Sequence, residues 1–223
     1  MLPHGKLYVP GAERLLPNIR RLADVVRIGQ VFLVSHGCIH PVDDPEFARF
    51  PPHCLEGTDG AKFVPEALTD SVAVLPNRES ATLPEDLTRF QQILLEKQTL
   101  DIFESRHAAP LLERLPRNAE IAVFGVVTEH CVRFAAKGLL ERGRRVSIVR
   151  DAIETLSPED SRKTLEELVS MGAALVSTDE ILTRCQFLSA GLRTPVVPLD
   201  EVVGIEYHSK HKLVEKAGLP GKC

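Results

Sequence analysis

The 223 residues carry a formal charge of −4, with 43% hydrophobic and 26% charged side chains, the balance of an ordinary soluble globular chain. That charge offers no electrostatic basis for binding nucleic acid, and no apolar run approaches the roughly 20 residues that span a bilayer. The N-terminal stretch MLPHGKLYVPG lacks the basic-then-apolar pattern of a secretory signal, and Cys38, Cys54, Cys131, Cys185 and Cys223 are irregularly spaced, so a reducing cytoplasm without a disulfide framework is expected.

In chain order, residues 11–28 set Leu15, Ile19, Leu22 and Val26 on one helical face, with Arg20 and Arg21 opposite. VFLVS (31–35) is a continuous apolar run, as in a strand covered on both faces. Residues 36–90 break the rhythm with many prolines and glycines, and so long an irregular stretch is usually functional or disordered. QILLEK (92–97) reads as a strand or as a helix end, whereas IAVFGVV (121–127) is a second buried strand. Residues 129–142 place Val132, Ala135, Ala136, Leu139 and Leu140 at helical spacing; Thr128 is the expected N-cap and Gly143 the stop. VSIV (146–149) and AALVS (173–177) are further strands. Between them a helix over 158–171 opens with Ser157 as cap and Pro158 at its first position. Alternating strands and helices predict a three-layer α/β/α fold of Rossmann-like type with a mostly parallel sheet. We read one domain over residues 1–187 and a C-terminal extension over 188–223.

The chemistry centres on Gly125-Val126-Val127-Thr128-Glu129-His130-Cys131-Val132, where a strand runs into a helix. A cysteine in a first helical turn meets backbone N–H groups and the positive end of the helix dipole, which favour a thiolate and can hold an oxyanion. By position alone, inert packing of a buried cysteine is the commoner outcome. The segment resembles, however, the nucleophile signature of the isochorismatase-like cysteine hydrolases. That resemblance implies that Cys131 is the nucleophile and that a cis peptide between Val126 and Val127 shapes an oxyanion hole. LLEKQTLDIF (94–103) is similar to the family's lysine segment and makes Lys97 the group that stabilises charge beside the thiolate.

Two further stretches, Ser35-His36-Gly37-Cys38-Ile39-His40 and Pro51-Pro52-His53-Cys54, resemble the metal-binding segments of the nicotinamidase-type branch. The resemblance implies a divalent metal held by His40, His53 and Cys38, with Cys38 standing where the family has an aspartate. Two imidazoles, a thiolate and an open position suit zinc. His36 is an alternative to Cys38; without the resemblance, all three would be loop residues or filler. Asp43, Asp44 and Glu46 are assigned to capping and bracing this loop.

The family also carries a catalytic aspartate on a central first strand, ahead of a Val-Pro-Gly-like stretch. Residues 5–13 match the segment just after that strand, and neither strand nor aspartate has a counterpart in this chain. The expectation is a native protein that extends upstream, because unpaired buried backbone groups cost about 1–3 kcal/mol each. His130 is a weak substitute for the missing base. The resemblance implies a cysteine-dependent amidohydrolase that converts nicotinamide to nicotinate and ammonia, and self-association as a homodimer or larger homo-oligomer. The alternatives are another small-molecule C–N or vinyl-ether hydrolase, a non-catalytic ligand-binding or scaffold member, and a metal or redox sensor using Cys38 and Cys54.

Overall fold

Helix α1 (Leu16–Arg27) follows a short 3₁₀ turn at Ala12–Leu15 and buries Ile19, Leu22, Ala23 and Val26, the face expected from their spacing. It is seen in a computed structural model of the chain that describes residues 1–3 and 5–189. After it come β1 (Leu33–Cys38), β2 (Val72–Leu75), β3 (Gln92–Lys97), α2 (Ala108–Arg114) and β4 (Glu120–Val126). Then follow α3 (Arg133–Glu141), β5 (Arg145–Glu154), α4 (Pro158–Ser170), β6 (Ala174–Val176) and α5 (Thr178–Ser189). The boundary expected after residue 187 falls inside α5, and the proposed extension from residue 190 onward lies outside the described residues.

All strand pairings are parallel, but the strands form two three-stranded sheets, β1-β3-β2 and β4-β5-β6. One apolar core joins them: Leu75, Ile93 and Leu95 of the first sheet share a cluster with Val123, Val146, Ile148 and Leu175 of the second, under Leu111, Ala136 and Leu168 from helices. On the other face Leu22 of α1 and Ile181 of α5 cover Val149, Ala152 and Val176. The result is the expected layering of helices on both faces of parallel strands.

Strand β3 resolves the ambiguity of QILLEK, since it pairs on both edges and buries all its residues but Glu96. β1 and β4 each end a sheet, and among the described residues neither has a strand on its outer edge. Accordingly β1 is only half-buried along its length. β5 runs well past the apolar VSIV because the polar residues beyond it are anchored. Asp151 accepts bonds from Thr178 N (2.8 Å), Thr178 Oγ1 (2.9 Å) and Asn18 Nδ2 (3.1 Å), tying the strand to the start of α5 and to α1. α4 begins as expected, with Ser157 Oγ accepting from Asp160 N.

Candidate active site

The strand-to-helix turn departs from the simple cap expected for it. Thr128 caps nothing; its hydroxyl donates to Glu154 O at 3.0 Å, stitching β4 to the end of β5. Residues Thr128–Val132 form a wide π-type turn with His130 out of helical geometry (φ −119°, ψ −106°), and the regular helix starts only at Arg133. Cys131 therefore sits on an irregular turn ahead of α3, and not in its first turn. Upstream, Gly125 has φ 120°, which disfavours any side chain, and marks a register shift in the β4–β5 pairing. The next peptide bond, Val126–Val127, is cis. Val127 O then accepts the amides of His130 and Val132, both at 3.1 Å, which draws the turn tight around Cys131.

Lys97 closes β3 and is 1% exposed. Its ammonium donates to Cys38 Sγ (3.3 Å), Cys131 Sγ (3.5 Å) and the carbonyl of Thr99. Among the described residues no carboxylate hydrogen-bonds it, so two sulfurs and a carbonyl are what compensate this buried cation. Burial alone would lower the Lys97 pKa, but Cys131 and Cys38 hold it above the ordinary lysine value. Burial pushes the Cys38 and Cys54 thiols up. His36, under burial and the charge of Lys97, has its pKa lowered to about 3 and stays a neutral imidazole.

The loop after β1 folds back through a bridge between His40 and Leu55, with His40 N bonded to Cys54 O (3.0 Å) and Glu56 N to His40 O (2.9 Å). Fully buried His40 has its Nδ1 2.9 Å from Asp44 Oδ2. A carboxylate there accepts a hydrogen bond from Nδ1–H, the tautomer that leaves a lone pair on Nε2. That Nε2 lies 3.6 Å from Glu46 Oε2, and among the described residues neither of these buried atoms has a hydrogen-bond partner. Two acceptors facing each other without a donor are what a cation would satisfy, so these residues fit a divalent metal. His40, Asp44 and Glu46 bring their donor atoms within 4.8 Å of one another.

This is not the set expected from the sequence. Cys38 has its sulfur on Lys97, on the side of the site where Cys131 lies. His53 stands close, its ring 4.7 Å from that of His40 and its Nδ1 occupied by Pro51 O at 2.8 Å, so its free nitrogen is Nε2. Asp44 braces the loop as expected, accepting from Glu46 N at 2.8 Å. The carboxylate of Glu46, for which the same bracing is expected, instead points at His40. The signal for it lies in the Asp-Pro turn: capping by Asp44 winds Pro45–Ala48 into one 3₁₀ turn and carries Glu46 back over His40.

An α/β protein with a half-buried thiol and a buried lysine converging where parallel strands end has the layout of the cysteine hydrolases, in which a strand-end thiol attacks a carbonyl. Residues 1–180 match the Isochorismatase domain family, and the chain belongs to that family. It is thus a hydrolase. Among curated relatives it is 26% identical over 180 residues to a nicotinamidase/pyrazinamidase of Mycobacterium tuberculosis, covering 77% of this chain and 90% of that protein. It is 22% identical over 193 residues to a nicotinamidase of Escherichia coli, covering 77% and 86%. A similar solved structure is the pyrazinamidase of Pyrococcus horikoshii in complex with zinc, 27% identical, TM-score 0.63, covering 79% of this chain and 92% of that one. None of the described helices is long and apolar enough to cross a membrane.

Proposed function

We propose that the protein is a cysteine amidohydrolase acting on a small carboxamide, with nicotinamide, hydrolysed to nicotinate and ammonia, as the expected substrate. The observation that carries this reading is the 3.5 Å contact between Lys97 Nζ and Cys131 Sγ beside the cis Val126–Val127 peptide. The named activities of its relatives, nicotinamidase and pyrazinamidase, support the choice of substrate.

Cys131 sulfur attacks the carboxamide carbon, and backbone N–H groups at Val127 and Cys131 receive the negative charge that develops on oxygen. Lys97 stabilises the negative charge on sulfur during attack and on the tetrahedral intermediate that follows. Collapse expels the nitrogen, which takes a proton and leaves as ammonia; water then cleaves the thioester. Among the described residues the hydrogen-bond partners of Cys131 include no carboxylate that could act as base. A strand pairing along the open edges of β1 and β4 would bring one to the strand ends where Lys97 and Cys131 meet. His40 and Glu46, with His53 beside them, would hold a metal, for which zinc is our choice given the zinc-bound Pyrococcus relative. When bound, such an ion supplies Lewis-acid affinity for a ring nitrogen or a water.

The test is ammonia release from nicotinamide in the presence of zinc, comparing the protein with its Cys131→Ala variant. Release that falls by about 10⁴-fold or more in the variant is the expected result. A folded, zinc-loaded protein that leaves nicotinamide intact but deamidates another small amide would move the substrate assignment. The N-carbamoylsarcosine amidase of Thermoplasma acidophilum, which shares the fold at 22% identity and TM-score 0.59, suggests an amide to try next.

A further inference from the structure

Cys38 has no task in the reaction just described, yet it occupies a position as constrained as that of the nucleophile. It is the last residue of β1, paired in register with Lys97 on β3. One ammonium donates to both sulfurs, at 3.3 Å to Cys38 and 3.5 Å to Cys131, so the two can be no farther apart than these contacts laid end to end. Neither thiol is in a disulfide, and both residues are only half-buried. Cys54 is also half-buried nearby, but Lys97 makes no hydrogen bond to it.

We propose that Cys38 is the resolving partner of Cys131, closing a reversible disulfide onto it when hydrogen peroxide oxidises the nucleophile. The inference rests on Cys131 being the reactive thiol of the site. In the first step the Cys131 thiolate attacks one peroxide oxygen. An S–O bond forms, the O–O bond breaks, and the departing hydroxide leaves as water after taking a proton from solvent. In the second step Cys38 sulfur attacks Cys131 sulfur. The S–S bond forms, the S–O bond breaks, and the hydroxyl group departs as water with the Cys38 proton. Two thiols lose two electrons in all, and one peroxide becomes two waters.

Closing the bond requires the Lys97 contact to one sulfur to open and both side chains to turn toward each other. The consequence is protection. A sulfenic acid left alone proceeds to sulfinic acid, which thiols do not reverse, whereas a disulfide returns both cysteines on reduction. An aspartate at position 38, the residue the family signature has there, could not do this.

The experiment treats the full chain with hydrogen peroxide, blocks remaining thiols with N-ethylmaleimide, and maps peptides by mass without reduction. Cys38→Ser and Cys54→Ser variants run in parallel, and iodoacetamide labelling of the untreated proteins reports the reactivity of Cys131. The expected result is a Cys38–Cys131 linked peptide in the wild type and in Cys54→Ser, lost on treatment with dithiothreitol. In Cys38→Ser, Cys131 should instead accumulate as sulfinic acid that dithiothreitol does not reverse. Cys131 sulfinic acid forming equally fast with and without Cys38, or a link from Cys131 to Cys54, would overturn the proposal and leave the nucleophile reading intact. A Cys131 that reacts with neither peroxide nor iodoacetamide would overturn both. Should Cys38→Ser fail to fold, the identity of the linked peptide in the other two proteins still decides.

Discussion

At Lys97 the chemistry is set by what a buried ammonium can find to pair with. An exposed lysine takes its solvation from water; this one is sealed under the core and takes it from two sulfurs and a carbonyl. Lys97→Met should therefore cost catalysis far more than folding, because a well-packed apolar side chain of similar length removes the need for burying a charge. We expect kcat on the amide to drop by roughly 10²–10³-fold, with little change in thermal midpoint, read by steady-state kinetics and calorimetry. His36 makes the opposite trade. Its folded pKa of about 3 lies below the ordinary 6.5, so between those values the unfolded chain binds the extra proton. The stability this group contributes is full above pH 6.5 and is lost as pH falls toward 3, at up to about 1.4 kcal/mol per unit. His36→Asn should flatten that part of the pH–stability curve measured by urea unfolding.

Among the elements, α3 shows how a helix is positioned by what it cannot accommodate. Gly138 sits mid-helix, where alanine is ordinarily better by about 0.8–1.0 kcal/mol. A Cβ there would come within 2.3 Å of Phe103 Cδ2, and that ring is itself held under the Arg142 guanidinium, 3.9 Å from its centroid. Overpacking of this kind costs about 1–3 kcal/mol, so the clash outweighs the propensity gain. Gly138→Ala is expected to lower the thermal midpoint, and a rise would show that Phe103 can swing aside. The turn ahead of α3 is held from the other side. Glu129 accepts from Leu156 N (2.9 Å), Ser157 N (3.0 Å) and Thr155 Oγ1 (2.6 Å), locking the turn that carries Cys131 to the β5–α4 connection. Burial works against the Glu129 carboxylate, yet these donors hold its pKa below the usual range.

For the whole molecule the salient feature is a sheet in two halves that share one core. Among the described residues β3 and β5 each pair on both edges, whereas β1 and β4 pair on one. Backbone groups on an open edge must find water or another strand. Amide hydrogen exchange should thus be slow in β3 and β5 and clearly faster in β1 and β4. Equal protection of all four strands would mean that something pairs with the open edges in solution, which is where the proposed carboxylate-bearing strand would lie.

How much of this is legible without the fold depends on range. Continuous apolar runs, helical spacing and the Ser157–Pro158 start are properties of neighbouring residues, and they suffice for the layered α/β class and for most of its elements. β2 escapes notice because it is four residues inside a proline-rich stretch, and α5 because its amphipathic pattern is weak. Resemblance points to Cys131 and Lys97, but only folding brings residues 34 positions apart onto one contact. Likewise a capped turn, invisible to local patterning, faces Glu46 with His40, while the pull of a buried ammonium sets Cys38 against Lys97. The sequence by itself determined the fold class and the kinds of side chain available for chemistry, because these depend on local periodicity and composition. Only the tertiary structure decided which of those side chains share a charge, a metal-sized gap or a proton, because pairing of buried polar groups is a property of distance through space.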